Sequence, residues 1–292
     1  MQQIYMNNVL VTGGSGQLGS ELQAIAFDFP QYNLFFVDRS ALDITDHVAV
    51  EAFIKINKIN SIINCAAYTA VDSAESEPKL ANAVNHLAVT NLATLAKDNH
   101  IKLIHISTDY VFDGNSQRPY KESDNPNPQS VYGHTKLDGE LAIKKINPSN
   151  TIIIRTSWLY SNFGNNFVKK IIALSKTNDN INIVSDQIGS PTNATDLAKT
   201  VFSILPKIKN KSVEVFHYSN DGFCSWYDFS IEIFRIKNIK TLINAVKTSE
   251  FPTIVKRPTY SVLDKSKIKT RFDLEIPSWK DSLSFAFESI KI

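Results

Sequence analysis

The feature that most constrains this chain is a short apolar strand that opens directly onto spaced glycines. Asn8-Val9-Leu10-Val11-Thr12 reads as the strand, and Gly13-Gly14-Ser15-Gly16-Gln17-Leu18-Gly19 follows as G-x-x-G-x-x-G. Gly13 and Gly16 let the backbone turn tightly and approach a pyrophosphate. Gly19 lets the next helix, from about Leu18 to Phe27, lie close to the strand. A tight strand–helix turn asks for glycine on steric grounds alone, so context has to separate the two readings. Asp38 supplies it, closing the second strand, Leu34-Phe35-Phe36-Val37, about 20 residues further on. The turn is therefore read as a dinucleotide site, with Ser15, Gln17 and Leu18 at the helix N-terminus beside it.

Asp38 is placed to accept from the adenine ribose hydroxyls, which favours NADH. Arg39 beside it is either a partner for a 2′-phosphate, which admits NADPH, or an exposed charge at a strand end. Asp43, followed by Ile44 in the next loop, either faces the adenine amino group or serves as a turn residue.

The alternation of strands and helices continues. Asp46 looks like the N-cap of a helix that runs to about Asn57. Ser61 to Cys65 is a third strand, a long helix fills roughly Lys79 to Asn99, and Lys102 to Ile106 and Ile152 to Ile154 are the fourth and fifth strands. Strands this apolar, each separated by a helix, belong to a parallel sheet covered on both faces. The expected fold class is α/β, a doubly wound Rossmann sheet. Beyond Trp158 the alternation loosens, interrupted by a Pro/Asn/Asp-rich stretch (Lys121 to Gln129) before it and a Ser/Pro turn (Ser185 to Thr192) after it. We expect a dinucleotide domain over residues 1–160, with 193–220 returning to it. Residues 161–192 and 221–292 are expected to form a smaller substrate-binding region.

Composition narrows the partners. The chain has 292 residues, enough for a large core, and 31 basic against 29 acidic side chains give a net charge of +2. Nucleic acid and membrane surfaces are recognised by concentrated basic patches, and this balance argues against both. Cys65 and Cys224 lie far apart without C-x-x-C spacing, which fits free thiols in a reducing cytosol, although one disulfide remains open on arithmetic. Met1 to Met6 shows no basic segment leading into an apolar run, and no stretch reaches membrane-spanning length. The expected location is the cytoplasm. The six histidines show no metal-ligand spacing. A homodimer is left open.

Val131-Tyr132-Gly133-His134-Thr135-Lys136 contains Tyr-x-x-x-Lys, which on a helix sets phenol and ammonium on one face. A tyrosine of ordinary pKa, about 10, is a poor acid–base at neutral pH, and the expectation is that Lys136 lowers it. Standing alone, the pair would be read as an exposed polar helix face. It does not stand alone. The fourth strand ends in Ser107-Thr108-Asp109-Tyr110, at the sheet edge where α/β folds bind ligands, and the Thr108 hydroxyl is placed to bond a substrate carbonyl. The third ends in Asn64-Cys65-Ala66-Ala67, small enough to admit a nicotinamide ribose, with Tyr68 next.

Glycine loop, small-residue strand end, hydroxyl strand end and Tyr-x-x-x-Lys, in that order, resemble the extended short-chain dehydrogenase/reductase family. Within it, Ala66 to Glu75, Ser107 to Gly114, Arg155 to Tyr160, Gly164 to Phe167, Asp186 to Thr192 and Lys256-Arg257-Pro258 resemble the dTDP-4-dehydrorhamnose reductases. The resemblance runs from the glycine loop to Trp279. It implies reduction of the 4-keto group of a dTDP-6-deoxy-hexulose to dTDP-L-rhamnose, with NADPH or NADH. It also implies Tyr132 as proton donor, Lys136 as its partner and Thr108 on the carbonyl. Thr69, Val71, Asp109, Tyr110 and Trp158 would line the sugar pocket, and Arg257 would contact the diphosphate or else be a surface arginine before a proline. Some bacterial members hold magnesium at a dimer interface through glutamates. Glu21 matches one such position, but Thr195 stands where a second glutamate is expected, which argues against a metal.

Three competing readings stand beside this one. The first is a reductase of another nucleotide-linked 4-keto-6-deoxy sugar. The second is a nucleotide-sugar dehydratase or epimerase on the same fold, although Tyr110 occupies the position where dehydratases carry a glutamate. The third is a non-catalytic NADP-binding subunit like the regulatory one of methionine adenosyltransferase.

Overall fold

Apolar strands with side chains buried on both faces have to be covered on both faces, and the chain does this with a six-stranded parallel sheet. The computed structural model describes residues 7–289; Met1–Met6 and the last three residues of the 221–292 stretch lie outside them. The strands are β1 (Asn7–Thr12), β2 (Tyr32–Val37), β3 (Ser61–Asn64), β4 (Lys102–Thr108), β5 (Thr151–Thr156) and β6 (Glu214–His217). Their order across the sheet is β6-β5-β4-β3-β1-β2. Side chains of β1 alternate between faces. Val9 and Val11 join Leu18 and Leu22 of α1 (Gln17–Ala24) in one apolar cluster. Leu10 joins Val50 and Ile54 of α2 (His47–Ile56) and Leu92 of α3 (Ala88–Asp98) in the other. The first cluster is completed by Leu197, Val201 and Phe202 from the helix Ala194–Ile204.

Local signals explain most boundaries. Asp46 caps α2 by accepting from Ala49 N at 3.0 Å. Ser130 caps α4 (Val131–Ile146) by accepting from Gly133 N at 3.1 Å. Two helices differ from the sequence reading. The first ends at Ala24 and passes into a 3-10 turn, Ala26–Asp28, because Phe27 has no core to enter and is 95% exposed. The long run from Pro78 is broken by a π-turn, Ala83–Leu87, ahead of α3. The widened turn carries Asn85, whose buried amide accepts from Tyr68 N (2.9 Å) and donates to Tyr68 O and Thr135 Oγ1. β6 had no counterpart among the strands read from sequence.

A second apolar cluster group lies beyond the sheet. Tyr160 of the short strand Leu159–Tyr160 meets Ile171, Phe229, Ile233, Trp279 and Leu283 there, drawn from the helices Phe167–Ser175, Trp226–Lys237 and Trp279–Ser289. A small parallel pair, Asn180–Val184 with Leu242–Val246, borders it. Residues 221–292 divide between the two bodies, since Ile268, Phe272 and Ile276 pack with Phe216 in a sheet-side cluster.

Candidate active site

The strand order reverses between β1 and β3, and a crevice of about 720 Å³ opens at the carboxyl edge there. Open α/β sheets bind ligands at such a reversal, and the volume is typical of a cofactor-and-substrate site. Gly13 sits at φ +67°, and a Cβ on it would stand 2.7 Å from Ala66 N, so a side chain here would close the turn against the end of β3. Gly16 is the N-cap of α1 and contributes no side-chain cap, which leaves the first amides of that helix for a ligand. The crevice wall includes every residue read from sequence as touching the cofactor, from Gly13, Ser15, Gly16, Gln17 and Leu18 to Ala66, Ala67 and Tyr68.

At one end stand Asp38, Arg39, Asp43 and Ile44. Asp38 Oδ1 accepts from Ser40 Oγ, Ser40 N and Ala41 N, and these bonds hold its carboxyl below the usual range. Asp43 is engaged on both oxygens. Thr45 N and Thr45 Oγ1 bond Oδ1, and Arg39 Nε lies 3.0 Å from Oδ2. Asp43 thus serves its own turn and lines the crevice too. The Arg39 side chain is 72% exposed, free to exchange this partner for a phosphate.

At the other end Thr108, Tyr132 and Lys136 share the wall with Thr69, Val71, Asp109, Tyr110 and Trp158. A Cβ on Gly133 would run into the Tyr110 carbonyl, so only glycine lets α4 approach the end of β4 and bring Tyr132 to Thr108. Tyr132 packs edge-on to Tyr110 with ring centroids 5.5 Å apart. Thr108 Oγ1 donates to Asp109 Oδ1 (3.1 Å) and accepts from Tyr110 N (3.2 Å). Burial pushes Asp109 up to about 6 against hydrogen bonds with Ser261 and Thr108. Burial also raises the Tyr132 phenol, opposed by its hydrogen bond with Thr108. The net direction is thus upward, opposite to the lowered value expected from the spacing to Lys136. The Lys136 ammonium donates instead to Ile106 O at 2.7 Å, and burial brings its own pKa down to about 8.

Arg257, read from sequence as a diphosphate contact or a surface arginine, pairs with Asp72 and donates to Tyr110 Oη at 3.1 Å, beside the crevice wall. It ties the 251–260 segment to the rim of the site. Glu21, matched in sequence to a metal-binding position, is buried, with Ser161 Oγ on one oxygen (2.7 Å) and Thr195 Oγ1 on the other (2.9 Å). Both oxygens thus accept from hydroxyls, which ties α1 to the 161–166 loop and to the helix Ala194–Ile204.

Thr156, Ser157, Gly164 and Asn165 also line the crevice and were not named as site residues from sequence. The end of β5 was findable, since ligand contacts gather at carboxyl strand ends. The 161–166 loop showed only as part of the family motif Gly164 to Phe167, because its bonds to Glu21 and Gln17 on α1 join segments some 140 residues apart.

Trp158 has φ +47°, uncommon for a bulky residue. Its indole stacks on Trp226 at 3.5 Å with 7° between the planes. A Cβ on Gly189 would come within 2.7 Å of its Nε1. Gly189→Ala is therefore expected to displace this wall and raise the substrate KM about tenfold or more, with NADPH affinity little changed, since about 1.4 kcal/mol of lost contact suffices. Steady-state kinetics beside a cofactor titration checks it; an unmoved KM would mean the indole is free to shift.

Over residues 6–292 the chain matches the family model described as the RmlD substrate binding domain. It is 40% identical over 287 residues to the dTDP-4-dehydrorhamnose reductase of Aggregatibacter actinomycetemcomitans, an overlap of 95% of this chain and 97% of that protein. Among solved structures it is similar to a dTDP-4-dehydrorhamnose reductase from Clostridium acetobutylicum, with 42% identity, 98% and 100% coverage and a TM-score of 0.91. It is also similar to the dTDP-4-dehydrorhamnose reductase of Bacillus anthracis solved in complex with NADP, with 38% identity, 97% and 99% coverage and a TM-score of 0.92.

Proposed function

Because this chain belongs to the dTDP-4-dehydrorhamnose reductase family, we propose that it reduces the 4-keto group of dTDP-4-dehydro-L-rhamnose to give dTDP-L-rhamnose, using NADPH or NADH. The observation that supports this most is the meeting of Thr108, Tyr132 and Lys136 with the glycine turn in one crevice. The turn at Gly13 to Leu18 and the uncapped start of α1 would hold the diphosphate, Asp38 and Arg39 the adenine ribose end, and Lys136 the nicotinamide ribose. When bound, the nicotinamide supplies the hydride.

The rest is the work of this chain. The Thr108 hydroxyl turns from Asp109 to donate to the keto oxygen, which gathers negative charge as the carbonyl is reduced. Tyr132 gives that oxygen its proton. The phenol is protonated at neutral pH, as any tyrosine of ordinary pKa is. Burial makes it a weaker acid, so its proton moves only as the keto oxygen gathers negative charge and becomes the stronger base. The Lys136 ammonium stabilises the phenolate it leaves. Trp158, held from behind by Trp226, forms a flat wall for the sugar. Tyr110 stands where a dehydratase carries a glutamate, which disfavours water elimination. In this reading residues 1–160 and 193–220 form the cofactor domain, and 161–192 with most of 221–292 form the substrate region. A cytoplasmic location is part of the proposal, supported by the two free cysteines. Among the described residues no helix is long and apolar enough to cross a membrane.

The test is a spectrophotometric assay of NADPH and NADH oxidation with enzymatically made dTDP-4-keto-6-deoxy sugar, followed by identification of the product sugar. Oxidation with the keto sugar and formation of dTDP-L-rhamnose is the expected result. A different product sugar would support the neighbouring reductase reading, and cofactor binding without turnover the non-catalytic one.

A further inference from the structure

Lys136 is the end of a buried file of polar side chains that crosses the sheet. Thr12, Asn64 and His105 are cross-strand neighbours on β1, β3 and β4. Thr12 Oγ1 lies 2.6 Å from Asn64 Oδ1, Asn64 Nδ2 lies 3.0 Å from His105 Nδ1, and His105 Nε2 lies 3.4 Å from Lys136 Nζ. Exposure along the file is 0% for Thr12 and His105, 1% for Asn64 and 2% for Lys136. The reaction described above uses only the last member.

Counting protons assigns the file a polarity. Burial, followed by the neighbouring Lys136 charge, holds His105 well below the usual histidine range, so the ring is neutral and has one donor and one acceptor. A buried ammonium needs acceptors for its N–H groups. The Ile106 carbonyl takes one of them. As the Asn64 amide stands, its NH2 faces Nδ1, which would leave Nε2–H pointing at the ammonium, donor against donor. A half-turn of the amide keeps both contacts and removes the conflict. The Asn64 oxygen then accepts from Nδ1–H, and its NH2 donates to the Thr12 hydroxyl.

We propose that His105 is a positioning residue for Lys136, held by Asn64 in the Nδ1–H tautomer so that Nε2 accepts from the ammonium. With the Ile106 carbonyl, it occupies two of the three N–H groups and leaves one for the crevice. The aim of the third N–H, toward Tyr132 and the cofactor ribose, is thereby set from within the sheet. The inference rests on the proposed role of Lys136. The other groups that act on Lys136 are Glu140 on its own helix and Cys65 after β3, both of which favour its charged form.

Three measurements test it. The 15N spectrum of the wild-type protein, with the resonance assigned by its loss in His105→Gln, is expected to show Nδ1–H; an Nε2–H ring overturns the proposal. His105→Leu removes the acceptor and lowers the Lys136 pKa further from about 8. Activity that needs the ammonium then fails at lower pH, so the alkaline limb of kcat moves down. The loss of one hydrogen bond to a charged group lowers kcat about tenfold or more, and NADPH binding weakens with it. His105→Gln, whose amide oxygen reaches the place of Nε2, returns the limb toward its original position. An unmoved limb in His105→Leu, or equal losses in Leu and Gln without any movement, would mean that His105 only fills space. If His105→Leu does not fold, the tautomer and the Gln profile still decide. Wild-type protein that binds NADPH but does not reduce the keto sugar would overturn the functional reading, and the tautomer and NADPH titrations would stand apart from that outcome.

Discussion

Tyr132→Phe is expected to lower turnover by about 10²- to 10⁴-fold, the usual worth of a positioned acid, while NADPH affinity stays close to wild type. The phenol is 9% exposed and packs edge-on against Tyr110, a contact that a phenylalanine ring keeps. Only the hydroxyl and its hydrogen bond with Thr108 are lost. Lys136 keeps its bond to Ile106 O, so the part of the site assigned to the cofactor ribose is unaltered. Single-turnover kinetics with saturating NADPH, beside a fluorescence titration of the cofactor, separates chemistry from binding. A variant with near-normal turnover would show that the proton comes from another group, and Asp109, pushed up to about 6, is a candidate on the crevice wall. If both turnover and NADPH binding collapse, the tyrosine also supports the cofactor, and the division of labour drawn above is wrong.

The largest effect on stability is expected at Glu140, one turn of α4 beyond Lys136. Its carboxylate is fully buried and receives Arg155 in the fork geometry, Nε at 2.9 Å and Nη2 at 2.6 Å, with Ser107 Oγ at 2.6 Å. Phe112 lies 5.0 Å from the guanidinium carbon, and His217 Nε2 lies 3.4 Å from Nη1. Glu140→Ala leaves the arginine buried without its counter-charge, which costs about 3–5 kcal/mol. Replacing both partners by apolar residues of similar volume is expected to cost much less, because no charge is then stranded. Urea midpoints of the single and double variants check this. A single-variant loss under about 1 kcal/mol would mean that Arg155 finds another partner.

Acid should expose the same pair. Burial by itself would raise the Glu140 carboxyl, but Arg155 and Ser107 outweigh it and hold the group below its ordinary value of 4.5. A lowered folded-state value stabilises the fold above 4.5 and ceases to do so as pH falls through the lowered value. Glu140→Gln should therefore flatten the acid limb of the stability profile.

What could be read from the chain alone was whatever depends on neighbours in sequence. The Gly13 turn with Asp38 beyond it, the apolar run of β1 and the four-residue spacing of Tyr132 and Lys136 are local patterns. Local geometry converts them directly into a cofactor turn, a sheet strand and a shared helix face. Read with the strand ends at Ala66 and Thr108, they led to the family and the crevice without a contact map.

Tertiary structure decided what depends on distant partners. Arg257 is set by Asp72, 185 residues away, and Glu21 by Thr195, 174 residues away. β6 is a short strand whose place is set by β5. The Tyr132 phenol is raised because the surrounding fold removes water from it, so the spacing to Lys136 was a poor guide to its acidity. Burial and long-range pairing set the charge state of a side chain, and both arise only when segments remote in sequence close around it.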